Sequence, residues 1–114
     1  MGFVKEEQKG VTVIRVEDER LDSLIAPQLK SELLFLVNEG KKNIIIDLSN
    51  VNYADSSGLG AFLFGIRQLK NVDGQLKLLA ANDRIMSLVR IARLDGILLN
   101  YFNRDEAILS FDEQ

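Results

Sequence analysis

The chain has 114 residues, 46% of them hydrophobic and 27% charged, with a net charge of −3 and neither cysteine nor histidine. That balance describes one globular domain with a real core rather than a disordered tail, and the acidic charge without a basic run excludes the usual nucleic-acid footprint. Without His and Cys there is no Ser-His-Asp triad, no Cys-His pair and no common zinc site, so no enzyme is expected here, and neither a metal nor a cofactor.

From the N-terminus, Met1-Gly2 is followed by Glu6 where a myristoylation signal needs Ser or Thr, and no run of apolar residues is long enough to cross a bilayer. Phe3-Val4 and Val11–Val16 read as strands joined by a turn at Lys9-Gly10. Residues 17–23 form a charged loop. Pro27 suits the first turn of a helix whose apolar stripe is Leu29, Leu33, Leu36 and Val37, and Gly40 stops it. Residues 43–48 (Asn-Ile-Ile-Ile-Asp-Leu) are a β-branched run of the kind that fills a sheet buried on both faces.

After a loop at 49–56, Leu59, Phe62, Leu63, Ile66 and Leu69 recur at helical spacing to about Lys70. Asp73-Gly74 marks a turn and Gln75–Ala81 the next strand. Asn82 or Asp83 caps a third helix carrying Ile85, Leu88, Val89 and Ala92, which Asp95-Gly96 ends. Leu98–Phe102 forms an edge strand and Asp105–Phe111 a last short helix. The alternation predicts an α/β fold with an open sheet and right-handed crossovers.

The most informative segment is Asp55-Ser56-Ser57-Gly58-Leu59-Gly60, at the junction of loop and second helix. A helix start presents unpaired backbone N–H groups and the positive end of the helix dipole. Such a start serves as a cap, as a phosphate cradle or as a phosphorylation site. The P-loop pattern is absent, the dinucleotide fingerprint G-x-G-x-x-G is not met, and Ala54–Gly58 misses the first glycine of a nucleophile elbow. The residues alone leave a capped helix start and a switch or binding loop as alternatives. A phosphate on Ser56 or Ser57 would add about −1.5 to −2 charges at pH 7.

Ile44–Val51 followed by Tyr53–Gly60 closely resembles the bacterial anti-sigma-factor antagonists, the small stand-alone STAS domains. The resemblance takes in Leu21-Asp22, Ala26-Pro27 and Leu29 and continues to Leu94-Asp95-Gly96, covering about residues 8–112 of a single 1–114 domain. It implies a mixed β-sheet packed against about four helices. It also implies a partner that is both serine kinase and anti-sigma factor, bound by the unphosphorylated protein so that a sigma factor is freed. Phosphorylation of Ser56 releases that partner, and a serine phosphatase resets the switch. The implied partner-binding residues are Asp22, Asp55, Ser57, Gly58, Leu59 and Gly60, with Gly58 and Gly60 admitting a partner backbone. The implied location is cytoplasmic, with no membrane and no nucleic acid among the partners.

Two features depart from that pattern. Glu19-Arg20 stand where the family usually has Gly and an acid, which changes the charge of the partner-facing rim. Phe64 points away from the helix stripe, either buried under a neighbouring helix or set out as a partner anchor. Two other functions compete with this expectation: a STAS partner of other machinery (a signalling complex or a lipid-transport ATPase), and a small nucleotide-binding protein.

Overall fold

Lys9 and Gly10 both take positive φ, 54° and 77°, the geometry a tight two-residue hairpin demands, and the strands they join are β1 (Phe3–Gln8) and β2 (Val11–Val16). The computed structural model describes residues 2–112, so residues 1, 113 and 114 of the expected 1–114 domain lie outside the described residues. β1 runs four residues further than Phe3-Val4 because Lys5–Gln8 pair by backbone with Val11–Ile14 of β2. Their polar and charged side chains hide the strand in the sequence while suiting an exposed sheet edge.

The main sheet has five strands in the order β1-β2-β4-β6-β7, where β4 is Asn43–Asp47, β6 is Gln75–Leu79 and β7 is Asn100–Tyr101. β1 is antiparallel to β2 and the remaining pairs are parallel, so the sheet is mixed. The period-two alternation divides the side chains between two cores. Ile14, Ile44, Ile46 and Leu78 pack with Leu29, Leu33, Phe62, Leu69, Ile85 and Val89 of three helices on one face. Those helices are α1 (Ala26–Asn38), α2 (Ser56–Lys70) and α3 (Asp83–Ile91). Val11, Val13, Ile45 and Leu79 face the other way and are covered by Ala107, Ile108 and Phe111 from α4 (Arg104–Leu109) and the short 3₁₀ turn Ser110–Asp112.

Helix ends account for most differences from expectation. Gly40 (φ 89°) closes α1 as expected, with the Lys41 N–H on the Leu36 carbonyl at 3.0 Å. At α3 the left-handed residue is Arg93 (φ 61°), not a glycine. The Leu94 N–H donates to the Val89 carbonyl at 2.9 Å, so the helix stops at Ile91, before Asp95-Gly96, and Ala92 is exposed. The edge strand expected over Leu98–Phe102 contracts to Asn100–Tyr101, because Leu98 turns into the main core. β6 stops at Leu79, where Ala80 takes φ 61°. α4 begins at Arg104 because Asn103 caps it through the Glu106 N–H at 2.9 Å.

The two loops at 17–23 and 49–56 each hide a short strand. β3 (Arg20–Leu21) and β5 (Tyr53–Ala54) pair in parallel as a separate two-stranded ribbon, Arg20 opposite Tyr53 and Leu21 opposite Ala54. This ribbon delivers the starts of α1 and α2 to the same end of the molecule.

Candidate functional site

The site is built on the two aspartates that follow the ribbon. Asp55 is extended (φ −113°, ψ −167°), and its Oδ1 accepts the N–H groups of Ser57 at 2.8 Å and Gly58 at 3.4 Å. Its carbonyl accepts the Leu59 N–H at 3.1 Å. Asp55 is thus the N-cap of α2 and occupies donors that a phosphate would need for a cradle. Asp22 does the same for the turn entering α1: Oδ1 accepts the N–H of Leu24 at 3.0 Å and of Ile25 at 3.3 Å. The Leu24 N–H, foremost, holds the Asp22 carboxyl below its ordinary range; partial desolvation opposes this, and the Ile25 N–H and Arg20 reinforce it.

Arg20 has a local partner on each side. Its Nε lies 3.5 Å from Asp22 Oδ2, and its guanidinium lies 4.3 Å from the centroid of the Tyr53 ring. The rim is therefore a paired Arg20–Asp22 unit stacked on the ribbon, where the sequence shows only a change of charge.

Ser56, the first residue of α2, is exposed, and its hydroxyl makes no hydrogen bond to any described residue. Ser57 is half-buried at the second helical position. Both line an open concavity of about 270 Å³, whose other wall is the start of α1: Ser23, Ala26, Pro27 and Lys30, with Gly60 completing the α2 side. Neither Ser23 nor Lys30 belongs to the Asp55–Gly60 loop motif. Lys30 lies one helical turn beyond Pro27, and only the ribbon pairing brings it opposite Ser56.

Gly58 and Gly60 separate into two roles. A Cβ on Gly58 would meet the Leu21 carbonyl oxygen at 2.8 Å and Leu21 Cγ at 3.1 Å. Gly58 is buried and admits the chain's own backbone at Leu21. Gly60 has no atom within 4 Å of an added Cβ and leaves its surface open. Leu59 is partly buried against the main core. Phe64 is half-exposed on α2, outside the buried row Gly58, Ala61, Phe62, Gly65 and Leu69. Among the described residues no group of three or more Asp or Glu could hold a metal ion, and no helix is long and apolar enough to cross a membrane.

Residues 3–107 match the STAS domain family. The anti-sigma-B factor antagonist of Staphylococcus aureus (strain NCTC 8325 / PS 47) is 35% identical over 78 residues, 68% of this chain and 72% of that protein. In fold, the chain is similar to a STAS domain protein from Planctomyces limnophilus, with a TM-score of 0.87 at 21% identity, covering 98% of this chain and 99% of that one. It is also similar to the Bacillus cell fate determinant SpoIIAA in its phosphorylated form, with a TM-score of 0.77 at 24% identity over 96% of this chain and 99% of that one. The chain belongs to the STAS domain family, the family of the anti-sigma factor antagonists.

Proposed function

We propose that this STAS domain is a non-enzymatic anti-sigma factor antagonist whose hold on an anti-sigma factor is released by phosphorylation of Ser56. The observation that carries this reading is the state of that serine: it opens α2, is exposed, and its hydroxyl is bonded to no described residue, while Asp55 does the capping. A serine held only for the fold would be spent on the helix start. Support also comes from the Staphylococcus aureus relative, named for this role, and from SpoIIAA, which has the same fold in a phosphorylated form.

The electrostatics suit a switch. Because Asp55 engages the Ser57 and Gly58 N–H groups, a phosphate on Ser56 would not sink into the helix start. It would stand beside the Asp55 carboxylate and above the concavity, adding about −1.5 to −2 charges to the surface. A like-charge clash with a docked partner costs several kcal/mol, and at about 1.4 kcal/mol per tenfold this weakens binding by roughly a hundredfold or more. Asp22, Asp55 and Gly58 would act by shaping this end of the domain, with Ser57, Leu59 and Gly60 on the rim a partner covers.

The partner implied is an anti-sigma factor with serine kinase activity, and a serine phosphatase would restore the binding form. These proteins meet where sigma factors act, in the cytoplasm. The reading is tested by isolating the protein from its own cells and mapping phosphate by mass spectrometry. Phosphate on Ser56 is expected and should vanish in Ser56→Ala; phosphate confined to another residue, or none under any growth condition, would overturn it.

A further inference from the structure

A second cavity, of about 670 Å³, lies at the start of β6 against the C-terminal half of α2, and it shares no lining residue with the concavity at Ser56. Its walls include the apolar side chains of Leu76, Ile97 and Leu99 and the polar groups of Lys77, Tyr101 and Ser110. Ile97 and Leu99 remain largely exposed around it, at 62% and 42%.

Lys77 is the anomaly. It sits mid-strand on the face covered by α4, opposite Ile45, and is only 6% exposed. Its Nζ donates to Ser110 Oγ at 2.7 Å, and that hydroxyl is itself spent as a donor to the Ala107 carbonyl at 2.6 Å. The rings of Phe111 and Tyr101 lie 4.3 and 5.6 Å away, centroid to Nζ. Among the described residues no carboxylate lies within ion-pair distance of it. A lysine normally extends its stem so that the ammonium reaches water, and a buried charge without an anion is costly. An ammonium has three donors, and Ser110 takes one.

We propose that this cavity binds a small amphipathic anion, a monocarboxylate with a short apolar chain. The carboxylate would pair with Lys77 Nζ, and the chain would lie along the exposed side chains of Ile97 and Leu99. The buried Lys77 matches one negative charge, the exposed Lys70 on the same wall adds to the positive potential, and the apolar residues of the wall match a short chain. Ser110 and the rings of Phe111 and Tyr101 hold the ammonium in place and offset part of its burial, and an anion in the cavity would supply the counter-charge they lack.

The test is a titration of the full chain with octanoate, followed by amide chemical shifts, with 1-octanol as the uncharged control. Octanoate should shift the amides of Leu76, Lys77, Leu99 and Ser110 saturably, and octanol should bind at least about tenfold more weakly. Lys77→Met, an apolar replacement of similar volume, should keep the dispersed spectrum and bind octanoate at least about tenfold more weakly than wild type. Should that variant not fold, Leu99→Trp keeps the lysine, fills the exposed wall and should weaken octanoate in the same way. No shift at the cavity up to millimolar octanoate, equal affinity for octanol, octanoate binding unchanged in a folded Lys77→Met, or, should that variant not fold, unchanged in Leu99→Trp, would overturn the proposal.

Discussion

Asp22 and Asp55 occupy the same place on two paired strands: each follows directly on the ribbon pair Leu21 and Ala54, and each turns Oδ1 back onto the first backbone N–H groups of the segment it precedes. The pairing sets the starts of α1 and α2 side by side, which leaves Ser56 facing Lys30 across an open concavity. As the cap, Asp55 should contribute about 1 kcal/mol, so Asp55→Ala should lower Tm by about 4 °C, whereas Asp55→Asn should retain most of the stability. Thermal denaturation of the three proteins at pH 7 checks this.

Asp22 also ties stability to pH. Its carboxyl titrates below the ordinary value of 3.8 in the folded protein, chiefly through the Leu24 N–H. Its contribution is therefore fully present above that ordinary value and is lost as pH falls through the lower, folded value. Asp22→Asn cannot titrate, so wild type should be the more stable at neutral pH and the gap should close on acidification below about pH 4. Urea denaturation of both proteins across that range reads the difference.

The two glycines of the site should respond with opposite signs. Gly58→Ala drives a methyl group onto the Leu21 backbone and should cost about 1–3 kcal/mol, because the atom met is not a flexible side-chain end. Gly60→Ala meets open space within a helix and should stabilise by about 0.5–1 kcal/mol. Chemical denaturation of the two variants gives both numbers, and equal signs would contradict the packing described.

Some of this was legible in the sequence and some was not, for physical reasons. Gly10, Pro27 and Gly40 announce a hairpin, a helix start and a helix end because each has a backbone preference that needs no tertiary partner. The ribbon left no pattern: two-residue strands carry no periodicity, and Arg20 meets Tyr53 across 33 positions of chain. The end of α3 was hidden because Arg93, not a glycine, adopts the left-handed conformation. At the site, Asp55 and Ser56 stood out through the loop motif, whereas Lys30 looked like one more charge on a helix. Lys77 reads as the polar half of an alternating strand, and only α4, packed over that face, makes it buried.

Lys30 should mark a phosphate once it is attached. It is half-buried on the wall opposite Ser56 and is in no ion pair with the described residues. A nearby cation favours the dianion, so Lys30→Met should raise the second phosphate pKa, ordinarily about 6, by up to about half a unit. Phosphorus NMR titration of wild type and variant carrying phosphoserine at position 56 measures it. An unchanged pKa would place the phosphate away from the concavity.

The central claim is that charge at Ser56 decides whether a partner is held. The direct measurement uses wild type and Ser56→Asp as baits in extract of the source cells, with quantitative mass spectrometry of what each retains. Wild type should hold an anti-sigma factor of the serine kinase type, and Ser56→Asp should hold at least about tenfold less of it, a difference of about 1.4 kcal/mol. Equal recovery of the same proteins by both baits, with no such kinase among them, would contradict it.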